Sequence, residues 1–324
     1  MMADNRQLTK TYVRTPPALP PAQGARKLVR YLVGAALSPA YWLLAHCLRT
    51  PGLRFHRRCA ALGLQLLFRR DAPLPLGWSY EFMFRPMDST RYFEFDFMWR
   101  ALAGIPFARY LDVSSPRLFP LLLIRDRRAL SADLMNPDRE DLATTESLLR
   151  ATGARGRCRL HGSTIAEASF RVEAFDVITS ISVLEHIPED AGAVRTMWDL
   201  LKPGGRLLLT VPCAARASEQ YIDYNQYRVL SPDALGYVFW QRFYDPSTLE
   251  ERIYRVTGQP DRCAVYGEKI AGAFQHNAEH KRRAFFSTYP FWREPYMMGQ
   301  DYGYFPSVAD LPGEGVIAME FVKR

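Results

Sequence analysis

The chain is poor in the residue patterns that staple or metallate a fold. Its five cysteines, Cys47, Cys59, Cys158, Cys213 and Cys263, form no C-x-x-C pair and no Cys/His ligand spacing. That excludes a disulfide framework or a structural metal as the organising device, and it fits a reducing cytosol. His276 and His280 stand four apart with no third ligand, so no metal is expected there. No G-x-G-x-x-G occurs, which disfavours a dinucleotide-binding enzyme. No internal repeat is visible. The polar, proline-rich start lacks a basic segment followed by an apolar core, so a cytoplasmic protein is expected. The apolar run after Arg30 falls just short of the roughly 20 residues that cross a bilayer, and it contains Pro39 and His46. No transmembrane helix is therefore expected.

What is present is a globular composition, with 48% hydrophobic and 23% charged residues over 324 positions. The net charge of +8 is unevenly placed. Residues 1–109 carry 16 Lys and Arg against 6 Asp and Glu, and the remainder carries 26 against 28. Such a bias speaks of surface and partners rather than fold. No nucleic-acid partner is expected, because the basic residues interleave with leucines and no recognised motif accompanies them.

Residues 1–24, with four prolines between 16 and 21, read as a disordered tail. Residues 25–48 read as an apolar helix interrupted near Pro39, and residues 53–70 as a second helix with arginines at both ends. Two readings of this basic appendage stay open. It is a helical hairpin packed on protein, or a monotopic hairpin on an anionic membrane surface at the inner face of a membrane. Residues 71–88 read as a proline-broken connector, and Ser89 as the cap of a helix that begins there.

The densest pattern is Phe175 to Cys213, FDVITSISVLEHIPEDAGAVRTMWDLLKPGGRLLLTVPC. Val177, Ile178 and Ile181 suit a buried parallel strand. Ala191, Val194, Met197, Trp198 and Leu201 recur at helical spacing after Pro188 and Glu189. Lys202-Pro203-Gly204-Gly205 stops that helix, and Arg206 to Val211 is the next strand. A helix between two apolar strands is half of a doubly wound α/β sheet.

Taken in order and spacing, FDV…VLEHI…LLKPGGRLLLTVP resembles the fourth strand, helix and fifth strand of class I S-adenosylmethionine-dependent methyltransferases of the type 11 kind. The resemblance covers residues from about 89 to the end. It implies an α/β, Rossmann-like, seven-stranded, mostly parallel sheet with an antiparallel last strand, plus the N-terminal helical appendage. Strands then fall at 109–113, 129–133, 157–161, 262–267 and 315–323. Lid insertions lie at about 214–261 and 268–313. The implied cofactor is S-adenosyl-L-methionine. Asp112, Ser114, Ser115, Asp133, Leu134, Ser163, Thr164 and Ser180 are the positions that would hold it. Asp133, at the end of the second strand, would accept the ribose hydroxyl protons. The family's glycine-rich turn is replaced here by Ser114, Pro116 and Leu118 at its three glycine positions. Tyr92 on the first domain helix, with Tyr221, Tyr224 and Tyr227 on the first insertion, would contact the acceptor. Glu185 and His186 lie just past the fourth strand, where ligands bind in open α/β sheets. A histidine there can take a proton from the group being methylated.

Two functions follow from different classes. One is methyl transfer to a small-molecule or lipid-linked acceptor. The other is a non-catalytic scaffold that kept the fold and lost the cofactor with the glycines.

Overall fold

Apolar runs buried on both faces build the centre of this protein. In the computed structural model, residues 8–15, 24–68, 75–128, 130–225, 229–284 and 291–324 are described, the side chains of 280–284 excepted. Tyr227, Ala129 and the arginines at 69 and 70 lie outside the described residues.

In chain order the N-terminal part supplies β1 (Thr9–Val13), α1 (Gly24–Cys47), α2 (Leu53–Leu67), α3 (Leu76–Phe84) and α4 (Arg91–Ala101). Next come β2 (Arg109–Val113), α5 (Leu118–Asp126), β3 (Ser131–Met135), α6 (Arg139–Ala151) and β4 (Cys158–His161). Then follow β5 (Phe175–Ile181), α7 (Asp190–Leu200), β6 (Leu201–Ala214), β7 (Ser218–Ile222) and β8 (Val238–Phe243). β9 (Arg262–Glu268), β10 (Tyr302–Phe305) and β11 (Glu314–Val322) complete the strands.

The main sheet has the order β10-β9-β11-β6-β5-β2-β3-β4. β2 pairs in parallel with β3 and β5, β3 with β4, and β5 with β6. β11 runs antiparallel to both β6 and β9. This is the Rossmann-like sheet with a reversed last strand. It has eight strands rather than seven, because Tyr302–Phe305 in the second insertion pairs antiparallel with β9 and extends the edge. Alternate residues of each strand face opposite layers. Tyr110, Ala132, Val177 and Leu208 face a core shared with α2, α4 and α5. Leu111, Ile178, Leu207 and Leu209 face a core shared with α7. Strand order reverses between β2 and β5, so the switch point lies at their carboxyl ends.

The appendage divides into two unlike helices. α2 buries Phe55, Cys59, Leu62 and Leu66, and Phe55 meets the rings of Phe95, Trp99 and Phe119. Full burial of each large apolar side chain contributes about 1.5–3 kcal/mol, so α2 is core. α1 is the outer helix. It leans on α3 and on Phe291–Asp301, with Tyr31 stacked on Tyr80 at 4.1 Å. Leu28, Leu32, Leu43 and Leu44 remain exposed.

Several boundaries differ from the sequence reading. α1 continues through Pro39 rather than breaking there, and as one helix it is long and apolar enough to cross a membrane by length and composition. The connector holds a helix, α3. Ser89 does not cap α4. It sits at φ 49°, its N–H donates to Glu294 at 2.8 Å, and Thr90 precedes the helix. The expected disordered tail contains β1, which pairs in parallel with β7 in a second sheet of order β1-β7-β8.

Candidate active site

A cavity of about 860 Å³ opens at the carboxyl ends of β2, β3, β4 and β5. The turn after β2 supplies Ser114 to Leu118, the exit of β3 supplies Asn136 to Asp138, and the exit of β4 supplies Thr164 to Ala166. The loop after β5 supplies Ser182, Val183 and His186 to Pro188. Helices α3 and α4 close the opposite wall with Trp78, Phe82, Arg91 and Phe95.

Local chemistry explains the turn after β2. Ser114 adopts φ 54°, the left-handed bend that glycine takes without strain. Its N–H and its hydroxyl both donate to the carbonyl of Met135, at 2.8 and 3.1 Å. The Ser115 N–H donates to Asp112 at 3.1 Å, and the Ser115 hydroxyl accepts from the Ile181 N–H. Pro116 has no N–H. The turn therefore spends its first backbone donors on β3 and on Asp112. Asp112 lies beneath it, 3% exposed, and also accepts from Thr179 at 2.8 Å and Tyr110 at 3.1 Å. Burial pushes its carboxyl up to about 6, against the pull of those hydrogen bonds.

His186 is the titratable group best placed for proton transfer. Its Nδ1 sits against the carbonyl of Trp240 on β8. A carbonyl only accepts, so Nδ1 carries the proton and Nε2 the basic lone pair. Burial lowers the ring to about 4, so it is neutral at physiological pH. Glu185 lies beside it, 3% exposed, with Oε1 3.9 Å from the His186 Nε2. Burial raises Glu185 to about 8, and its Oε2 is a buried oxygen without a hydrogen-bond partner. Arg91 reaches the cavity from α4 and pairs with Glu94 at 2.6 Å. Glu94 is fully buried and accepts from Thr210 at 2.6 Å and from Ser182. That network ties α4 to the loop after β5 and to β6.

Of the residues singled out from sequence, Ser114, Ser115, Thr164 and His186 line the cavity. Glu185 and Asp112 form its buried support. Asp133 does not reach it. β3 runs two residues past Asp133, to Met135, so this carboxylate sits in mid-strand. There it pairs with Arg109 at 3.1 Å and His161 at 2.8 Å. Leu134 and Ser180 are likewise buried, and Ser163 is not among the lining residues. Tyr92 is fully buried, with its hydroxyl 3.2 Å from the His56 Nδ1. Tyr221 belongs to the β1-β7-β8 sheet, and Tyr224 is exposed. Among the described residues of the two insertions, only Val229 and Leu230 reach the cavity. The second insertion packs at the sheet edge and against α1 instead of covering the site.

Asn136, Asp138 and Asp141 line the cavity at the exit of β3. Asn136 lies directly after β3, and its amide donates to Asp141 at 3.0 Å. Arg117 pairs with Asp141 across the exits of β2 and β3. This donor set fits S-adenosylmethionine. Amide and carboxylate oxygens at the β3 exit match the ribose hydroxyls. Ile165 and Val183 offer apolar surface for the adenine, and Arg91 offers donors to the methionine carboxylate. The signal for Asn136 was the strand's length, which a five-residue apolar run leaves open by two positions.

Comparison with known proteins finds methyltransferases. Residues 119–253 match the family model described as a methyltransferase domain. A ubiquinone biosynthesis O-methyltransferase from Alkalilimnicola ehrlichii is 25% identical over 187 residues, which cover 56% of this chain and 72% of that protein. One from Sodalis glossinidius is 26% identical over 142 residues, 43% of this chain and 55% of that protein. Geranyl diphosphate C-methyltransferase from Streptomyces coelicolor A3(2), solved with S-adenosyl-L-homocysteine, is 10% identical. Its match covers 72% of this chain and 77% of that one, with a TM-score of 0.45. The chain carries, over residues 119–253, a methyltransferase domain. It is an S-adenosylmethionine-dependent methyltransferase, and the scaffold reading is set aside.

Proposed function

We propose that the chain methylates a hydroxyl of a small, largely apolar acceptor, lipid-linked in its natural form and met at a membrane surface. The observation that carries the reading is His186. It is neutral, its Nδ1 proton is committed to Trp240, and it lines the cavity at the switch point. The cofactor supplies an electrophilic methyl on a sulfonium. A hydroxyl is a poor nucleophile and benefits from a base, whereas a thiolate or amine does not need one. Nε2 takes the hydroxyl proton, and Glu185, kept protonated by its burial, lies beside the ring. Trp78, Phe82, Met87 and Phe95 bury the apolar part of the acceptor and exclude water. The printed names of the relatives, O-methyltransferases of ubiquinone biosynthesis, favour the same acceptor class. The exposed apolar residues of α1, with the exposed Arg26 and Lys27 in its first turn, favour the membrane surface.

The test uses methyl-labelled cofactor with phenols that carry or lack a polyprenyl tail. Transfer should be seen, and His186→Asn should slow it about 100-fold or more while S-adenosylhomocysteine still binds. Binding of S-adenosylhomocysteine without transfer to any phenol would move the acceptor to another class. Full activity of His186→Asn would remove the base role.

A further inference from the structure

The loop that carries His186 is clasped to the small β1-β7-β8 sheet at more than one point. The ring of His186 donates to the Trp240 carbonyl and lies 4.7 Å from the Trp240 ring. Two residues further along β8, Arg242 is 3% exposed and reaches back to the other end of the same loop. Its Nη1 donates to Asp190 and its Nη2 to the Pro188 carbonyl at 3.4 Å. Nε and Nη2 both donate to Glu219 of β7, at 3.3 and 2.8 Å. Asp190 is fully buried and also accepts from Arg252 at 2.8 Å and Tyr244 at 2.6 Å. Glu219 also accepts from the Tyr221 hydroxyl at 3.1 Å, and Lys10 of β1 lies over the Tyr221 ring.

We propose that Arg242 is a positioning residue for His186: it locks residues 186–190 to β8, so that the Trp240 carbonyl holds the ring in its Nδ1–H tautomer. The inference rests on the reading of His186 as the base. Only a planar guanidinium, with five donors in a fixed fork, can serve Glu219, Asp190 and the Pro188 carbonyl together. A lysine ammonium at this site would serve one or two of them. The arrangement also gives the N-terminal strand a part in the site, because β1 braces β7, and β7 carries Glu219. The charged groups that act on the His186 ring are Glu185 at 3.9 Å and Arg91 on α4; Glu94 acts on Glu185, and Asp190 and Arg242 pair with each other at the far end of the loop.

The experiment labels the histidines of the full chain with nitrogen-15 and follows the His186 ring between about pH 5 and pH 8, with and without S-adenosylhomocysteine. Wild type should show the neutral Nδ1–H tautomer throughout. Arg242→Met should give a mixture of tautomers and a ring that titrates nearer the ordinary histidine range, and Arg242→Lys should not restore the single tautomer. S-adenosylhomocysteine affinity should stay within about threefold of wild type, since Arg242 does not itself line the cavity. A folded Arg242→Met with the wild-type His186 spectrum overturns the proposal. Should Arg242→Met fail to fold, Glu219→Gln decides, because it loosens the clasp and leaves Asp190 paired. An unchanged spectrum there overturns the proposal too. The spectrum is read without turnover, so its outcome is separate from the His186→Asn activity test.

Discussion

Ser114 shows how a single residue can depart from a pattern and keep its geometry. Serine at φ 54° carries a cost that glycine avoids, and two hydrogen bonds to Met135 offset it. Asp133 shows the opposite case, the expected residue type with another task. Its carboxylate is 1% exposed and is held by Arg109 and His161. Asp133→Asn should therefore cost about 1–3 kcal/mol in denaturant unfolding, because a buried carboxylate loses its charge-assisted hydrogen bonds to the half-exposed Arg109 and His161. It should change S-adenosylhomocysteine affinity little by calorimetry. Asn136→Ala should do the reverse, weakening that affinity about tenfold, one lost ribose hydrogen bond, with little change in stability. Equal binding losses in both variants would return the ribose to Asp133.

At the scale of elements, α1 and α2 have similar apolar content and different fates. α2 presents one coherent face and is absorbed into the core with Phe55, Leu62 and Leu66. α1 is apolar around most of its circumference, and protein covers only the side facing Tyr80 and Phe291. Gly34 marks that side, since a Cβ there would meet Phe291 and the Tyr80 hydroxyl at 2.6 Å. Leu32 and Leu43, at 62% and 63% exposure, belong to the uncovered side. A Leu32→Glu/Leu43→Glu double variant should leave stability within about 0.5 kcal/mol per site, as exposed substitutions do. It should abolish co-sedimentation with anionic liposomes if the lipid-facing role holds. Unchanged sedimentation would place the membrane contact elsewhere.

Among the described residues, four carboxyls are pushed upward by loss of water. They are Asp96, Asp112 to about 6, the half-buried Glu314 to about 7 and Glu185 to about 8. Each is easier to ionise in the unfolded chain than in the fold. Their contribution is thus complete below the ordinary carboxylate range and is lost as pH rises through the folded values. Stability should fall from about pH 5 to pH 8, by about 1.4 kcal/mol for each pH unit separating a group's folded and ordinary values. Glu185→Gln should flatten the upper part of that decline in urea unfolding at several pH values. A wild-type midpoint that stays level from pH 5 to 8 would show that these groups are hydrated in solution.

The strands β2, β5, β6, β9 and β11 and the helix α7 were readable from the chain, because apolar periodicity and the Gly204-Gly205 turn are local signals. So was the position of His186 past the fourth strand, which follows from the order of elements. Residues far apart in sequence decided the rest. That β3 extends to Met135, and so withdraws Asp133 from the cavity, depends on its register with β2 and β4. That Thr9–Val13 is a strand depends on β7, more than 200 residues later, offering it an open edge. That His186 has one tautomer depends on a carbonyl 54 residues away. Periodicity records which side of an element is buried; only the packed chain determines what each buried polar atom finds there.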